Sequence, residues 1–109
     1  MLSEAANMQE IISRIKKCRL GKENELDLSH LKMKELPAGV KDLKNLATLN
    51  LSYNELTSLP DWIGVFSSLK SLNLRGNQLL SRQALPDSMR NLHKLIYLDL
   101  GVNFLSEVP

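Results

Sequence analysis

Leucine recurs along most of the chain in one pattern, L-x-x-L-x-L-x-x-N-x-L, which is filled at every position in three copies. These copies span residues 46–56, 69–79 and 95–105. An earlier copy is imperfect, with Leu31 where the asparagine belongs and Met33 at its close. The second leucine of each copy falls at Leu26, Leu49, Leu72 and Leu98, so the copies are 23, 23 and 26 residues apart. A repeat of this length predicts a solenoid of stacked units that bury one continuous core.

The Leu-x-Leu step inside each copy predicts a short strand, because alternate side chains of a strand point to opposite faces. We expect both leucines to point into the core and the residues beside them to point outward. Successive strands then stack in parallel, and their outward residues form columns. One column is Glu25, Thr48, Ser71 and Tyr97, the next is Asp27, Asn50, Asn73 and Asp99, and a third is Ser29, Ser52, Arg75 and Gly101, flanked by His30, Tyr53, Gly76 and Val102.

Two further residue types indicate where each unit turns. The asparagine is expected to bond backbone groups of the turn, and stacked copies form a ladder of such bonds. A proline follows in each copy, at Pro37, Pro60, Pro86 and Pro109. Proline ends an extended segment, and apolar residues at helical spacing follow the first three prolines. We therefore expect a short helical return on the face opposite the strands.

The first 22 residues do not fit the repeat and are predicted to form a separate element. Residues 3–20 carry apolar positions every three or four residues, which predicts an amphipathic helix. Its predicted buried stripe comprises Ala5, Met8, Ile11 or Ile12, Ile15 and Cys18. Ser3 or Asn7 is a candidate cap for its start, and Gly21 is placed to end it. We expect this helix, in residues 1–22, to cover the first of about four repeats in 23–109, the last of them incomplete.

These repeats resemble the intracellular leucine-rich repeat family, and the Leu-Pro-x-x-Ile segment at 59–63 is similar to its 23-residue Ras-associated group. The Ras suppressor protein belongs to that group. The resemblance implies an α/β fold, a short horseshoe-shaped solenoid with a parallel concave β-sheet and an N-terminal capping α-helix. It also implies a scaffold or regulator in intracellular signalling.

Composition and charge exclude several other classes of protein. A formal net charge of +2 is too small to indicate a nucleic-acid partner. The sequence contains no run of 18 apolar residues, which is the length that would indicate a membrane span. The single cysteine and the lack of a signal-like N-terminus favour a cytoplasmic protein, with the nucleus left open. His30 and His93 fall on different faces without a metal-ligand set. We expect no enzyme activity, catalytic residue, metal, cofactor or small-molecule substrate.

The predicted function is binding of another protein through the concave face. Tyr and Arg are the residue types that most often dominate the free energy of an interface. Tyr53, Arg75 and Tyr97 lie near the middle of the predicted face. The full set of predicted partner-binding residues is Tyr53, Arg75, Tyr97, Asp99, Phe104, Asn50 and Asn73. The bland alternative is that both tyrosines only pack over neighbouring strands.

Two segments leave alternatives open. The basic run Arg14, Lys16, Lys17, Arg19 and Lys22 either docks on an anionic surface or simply coats the end of the helix. Leu98, Leu100, Leu105 and Val108 are expected to leave the C-terminal edge of the core uncovered, which favours self-association or a fragment of a longer protein. In the second case the working part lies in missing C-terminal sequence.

Two single residues have both a functional and a structural interpretation. Cys18 lies on the predicted buried stripe, although the basic residues near it favour a reactive thiol. Trp62 is either a contact on the convex side or a ring folded over the adjacent coil. We expect the structural role for both.

Overall fold

The computed structural model describes residues 4–80 and 82–104, and their side chains except those of residues 4–6 and 82. Helix α1 spans Glu4–Gly21. Four strands follow, with their bounds at Glu25–Asp27 (β1), Thr48–Asn50 (β2), Ser71–Asn73 (β3) and Tyr97–Asp99 (β4). They form one parallel sheet in chain order. A leucine-rich repeat solenoid with an N-terminal helix, as predicted, is thereby confirmed, while the domain boundary at residue 22 stays a prediction.

The register of the sheet follows the repeat residue by residue. Glu25 pairs with Thr48, Thr48 with Ser71 and Ser71 with Tyr97, which is the first predicted column. The column from Asp27 to Asp99 pairs in the same way. We use "concave face" for the solvent side of the sheet that carries these columns.

The leucines of the repeat form the core as expected. Those of the first three strands and the residues just after them are buried: Leu26, Leu28, Leu49, Leu51, Leu72 and Leu74. Helix residues Ile11, Ile15 and Cys18 join the same cluster, and so does Leu31. A leucine replaces the asparagine at position 31 in a coil that the helix covers. In β4, by contrast, Leu98 is 39% exposed.

Asparagine side chains join each coil to the one before it. The Oδ1 atom of Asn54 accepts hydrogen bonds from the backbone N–H groups of Leu31 and Met33, both at 3.0 Å. Its Nδ2 group donates to the carbonyl oxygens of Leu28 and Leu51, at 2.9 and 3.0 Å. Asn77 and Asn103 repeat this arrangement one and two coils later. The predicted ladder is confirmed, and its asparagines bond two coils each.

The convex side consists of short 3₁₀ helices. Three of them follow prolines, at Ala38–Asp42, Asp61–Val65 and Asp87–Asn91, and a fourth spans Arg82–Ala84. Each of the three prolines still has extended backbone angles, and the 3₁₀ helix begins at the next residue. The extended segment therefore ends at the proline, as expected. Trp62 packs on the core, with its ring edge-on to Phe66 at 6.2 Å between centroids. Trp62 therefore has a packing role, although its ring contact is with its own coil; the predicted fold over the adjacent coil stays a prediction.

The buried side of α1 differs from the predicted stripe. Met8 is 51% exposed and Ile12 is 57% exposed, whereas Asn7 is buried and lies within the helix. The predictions that Met8 is buried and that Asn7 caps the helix start are therefore wrong. Among residues 7–21, whose side chains the structure describes, the buried positions are Asn7, Ile11, Ile15 and Cys18, an i, i+4, i+8, i+11 series that turns one residue away from the purely apolar stripe. The side chain of Ala5, also predicted in the stripe, lies outside this part of the helix. Ser3, the other proposed cap, lies outside the described residues.

Helix α1 ends in a Schellman motif that lacks the usual glycine. The N–H of Glu23 bonds the carbonyl oxygen of Cys18 at 3.0 Å, and the N–H of Lys22 bonds that of Arg19 at 3.3 Å. Gly21 is the last helical residue, and Lys22, not Gly21, adopts the left-handed conformation with a φ of 50°. The end of the helix was predicted correctly, but the residue that makes the turn was not.

We expect Lys22→Gly to raise the free energy of unfolding by about 0.5 to 1 kcal/mol, because glycine adopts left-handed angles without the steric cost of a Cβ atom. Urea denaturation measures the change. The matched control is Lys17→Gly, which places the same substitution at an exposed position inside α1. It should lower the free energy of unfolding by about 1 kcal/mol. Destabilisation by both substitutions would contradict the assigned helix end.

Candidate functional site

Four of the predicted site residues form one connected group on the concave face. The Nε of Arg75 donates to the Tyr53 hydroxyl at 3.2 Å. The guanidinium Nη1 lies 3.7 Å from the Asp99 carboxylate, which also accepts from the Tyr97 hydroxyl at 3.3 Å. The group therefore crosses three adjacent coils, from β2 through β3 to β4. We call Tyr53, Arg75, Tyr97 and Asp99 the central cluster.

The central cluster is both exposed and held in place. Tyr53 is 43% and Tyr97 is 50% exposed. The ring of His30 stacks on Tyr53 with centroids 4.8 Å apart and an interplanar angle of 16°. The hydrogen bond to Tyr53, with the neighbouring Asp99 charge, raises the pKa of Arg75. A partner would meet aromatic edges and a cation that are already held in place, so binding would cost little entropy for ordering these side chains.

The two predicted asparagines also have a structural role. Asn50 Oδ1 accepts hydrogen bonds from the backbone N–H and the hydroxyl of Ser52, at 3.0 and 2.7 Å. Asn73 Oδ1 accepts from the N–H of Arg75 at 3.0 Å. Asp27 and Asp99 bond the residue two positions on in the same way. This whole column therefore shapes the turns after the strands, which is the ordinary role of Asn and Asp at such positions.

Phe104 lies apart from the central cluster, one residue past the last asparagine of the ladder. Its side chain is 64% exposed, and its backbone N–H bonds the carbonyl oxygen of Leu79 at 2.9 Å. Ile96 and Val102 are 85% and 64% exposed on the same coil. The last described coil thus presents apolar side chains, as predicted for Leu98. Leu100, for which the same was predicted, is half-buried and packs against the core. Leu105 and Val108 lie outside the described residues.

The basic run of α1 faces a groove beside the first strand. The groove has a volume of about 910 Å³. Arg14, Lys17 and Lys22 line its helix side, while Glu23, Glu25 and Asp27 line the other. Arg14 pairs with Glu10 at 2.8 Å and donates to the Asp27 carbonyl oxygen at 3.0 Å. Lys16 and Arg19 are exposed. Three cations of the run thus face three carboxylates, an arrangement less suited to an anionic surface than a purely basic patch.

Asp27 shows how this groove balances its charges. Partial burial acts to raise the pKa of its carboxyl group, but hydrogen bonds from Ser29 act in the opposite direction. Arg14 and His30 add to the effect of Ser29, and the net result is a lowered pKa. The carboxylate is therefore charged at neutral pH.

Cys18 is a core residue. Its side chain is 1% exposed, and its Sγ atom lies 3.4 Å from the Glu23 carbonyl oxygen. Burial raises the pKa of the thiol, and the Glu23 charge raises it further. A nucleophilic cysteine needs the opposite conditions, because the thiolate is the reactive form. The structural interpretation of Cys18 therefore holds.

The described residues contain neither a metal-binding cluster nor a membrane-spanning helix. Within residues 4–80 and 82–104, no group of three or more His, Cys, Asp or Glu side chains is arranged to hold a metal ion. No helix in the same part of the chain is long and apolar enough to cross a bilayer.

Comparison with known sequence families and structures gives consistent matches. A family model described as leucine rich repeat matches residues 24–79, and a second with the same description matches residues 68–92. No curated protein matches the chain. Among solved structures, a leucine-rich repeat protein of Leptospira interrogans is 37% identical, with a TM-score of 0.75 over 84% of this chain. An internalin from Listeria monocytogenes is 25% identical, with a TM-score of 0.68 over 85% of this chain. The chain spans only 22% and 26% of those two proteins.

Proposed function

Because the chain belongs to the leucine-rich repeat family, we propose that it is a non-catalytic module that binds another protein through the central cluster of its concave face. Domains of this family generally mediate protein–protein interaction. The observation that carries the proposal is the connection of Tyr53, Arg75, Asp99 and Tyr97 across three coils, on a rigid sheet and open to solvent. Such groups cost little to order on binding.

The proposal extends to setting and role as well. A cytoplasmic scaffold or regulator in signalling fits the resemblance to the Ras-associated group and the single buried cysteine. The alternative, an accessory region of a longer protein, is supported by the short span of this chain on the two solved structures. The concave face is tested first, because the first role requires it and the alternative does not.

We expect Arg75→Glu to weaken partner binding by about 2 kcal/mol or more, roughly thirtyfold. The substitution reverses the charge at the middle of the central cluster and removes the donor that holds the Tyr53 hydroxyl. Immobilised chain, residues 1–109, is used to capture proteins from a cell extract, and the captured band is then titrated. The matched control is Arg90→Glu, the same substitution on an exposed convex residue.

The outcomes separate the surfaces that are available for binding. Loss of capture with Arg75→Glu, but not with Arg90→Glu, supports the concave face. Equal capture by both variants contradicts the proposal. A Lys16→Glu, Lys17→Glu variant tests the basic run, since binding through that run should also fall steeply with salt. Melting temperatures of all variants must match that of the unaltered chain for the comparison to count.

A further inference from the structure

Two glycines of the concave face lie directly under side chains from the preceding coil. A Cβ atom at Gly76 would overlap the ring of Tyr53. A Cβ atom at Gly101 would come within 2.5 Å of Arg75 Nη1 and 3.0 Å of Asp99 Oδ1. Each glycine therefore leaves the space that one member of the central cluster occupies.

The backbone of the repeat does not itself require glycine at these positions. Gly76 has a φ of 75°, but the equivalent residues of the other coils reach similar left-handed angles with side chains: His30 at 58°, Tyr53 at 55° and Val102 at 51°. The residues equivalent to Gly101 are Ser29, Ser52 and Arg75. What separates the two glycines from their equivalents is the side chain that lies over them.

The result is a fixed arrangement of the central cluster. Gly76 allows the Tyr53 ring to lie between His30 and the third coil, where its hydroxyl meets Arg75 Nε. Gly101 allows the guanidinium to lie across the fourth coil beside Asp99. The 3.7 Å contact with Asp99 is longer than a hydrogen bond. A guanidinium carries five N–H donors, so Arg75 keeps donors for a further acceptor.

We infer that Gly76 and Gly101 determine the specificity of the concave face, by holding Tyr53 and Arg75 in position to receive an acidic side chain of the partner protein. A carboxylate matches the fork of guanidinium donors, and the Tyr53 edge packs against the carbon chain that bears it. The inference rests on the function proposed above, and it assigns a role to two residues that carry no side chain.

Gly101→Ala is the decisive substitution, because the nearest atom that it displaces is the tip of the Arg75 side chain and not backbone. We expect the melting temperature to stay within about 2 °C of that of the unaltered chain, since the displaced Arg75 side chain is 44% exposed. The Arg75 Nε–H signal in a ¹H–¹⁵N NMR spectrum should shift, because its hydrogen bond to Tyr53 is disturbed. Binding of the partner captured in the preceding experiment should weaken about tenfold. Gly39→Ala is the control, because the new methyl group would meet Ile15 Cγ2 at an ordinary contact distance of 3.9 Å, and it should change none of the three.

The result also distinguishes this inference from the function on which it rests. An unmoved Arg75 signal in Gly101→Ala, or a moved signal with unchanged binding, overturns the inference while a loss of binding in Arg75→Glu still supports the concave face. If Arg75→Glu binds like the unaltered chain, both fail together. Replacing each acidic residue of the captured partner by its neutral amide then identifies the carboxylate that Arg75 receives, because that replacement should reproduce the tenfold loss.

Discussion

Leu51→Ala and Leu74→Ala are each expected to lower the free energy of unfolding by about 2 to 5 kcal/mol. Both side chains are 0% exposed in the middle of the solenoid, with a coil packed on either side. Removing three carbon atoms from either one loses the transfer free energy and leaves a cavity that the stacked coils cannot fill by collapsing. A domain of this size has only about 5 to 15 kcal/mol to lose.

Urea denaturation followed by circular dichroism measures this effect, with the slope of the transition as a check on two-state behaviour. The internal control is Leu98→Ala. Leu98 is the first leucine of the Leu-x-Leu step that begins in β4, and its side chain is 39% exposed. We expect that substitution to cost clearly less than the other two. Similar losses at all three leucines would mean that the last coil is covered as fully as the central ones.

The fold was predictable because one pattern specifies several levels of it at once. The Leu-x-Leu step determines which side chains enter the core, and the period of the repeat determines which residues pair across strands. Glu25, Thr48, Ser71 and Tyr97 could therefore be aligned before any coordinates, and they pair as aligned. Repeats carry this information because every coil must match its neighbours in order to share their core.

Helix α1 was predicted less accurately, because it lies outside the repeat. A single amphipathic helix has no neighbouring copy to fix its rotation, so its apolar positions alone predict a stripe through Met8. The structure buries Asn7 and exposes Met8 and Ile12. Lys22 was missed for a related reason: Gly21 is the expected residue for a left-handed helix end, and sequence alone does not place the turn within one residue.

The candidate site was only partly predictable. The columns place Tyr53, Arg75, Tyr97 and Asp99 on one face, but they do not show that side chains lean from each coil onto the next. That direction decides which residues touch, and it depends on the space left by Gly76 and Gly101. A glycine at a position where the equivalent residues are His, Tyr and Val was the available signal. Glycine carries no chemical group of its own, so its position alone does not predict a role in the site.

Asn54→Ala is expected to lower the free energy of unfolding by about 2 to 5 kcal/mol, although it removes only a polar amide. Asn54 is 6% exposed, and its side chain bonds two coils at once. Without it, the N–H groups of Leu31 and Met33 lose their acceptor in a part of the molecule that is closed to water. Each buried donor left without a partner costs about 1 to 3 kcal/mol.

Two further asparagine substitutions test this explanation with the same measurement. Asn45→Ala changes an exposed residue of a turn and should stay within about 0.5 kcal/mol. Asn103→Ala removes the corresponding ladder residue from the half-buried last coil, where water can replace part of what is lost, so an intermediate value is expected. The order Asn54, Asn103, Asn45 follows from burial of the bonded groups. Asn54 and Asn103 occupy the same kind of turn in different coils. Equal losses at both would therefore show that the cost comes from the turn itself and not from the buried partners in the preceding coil.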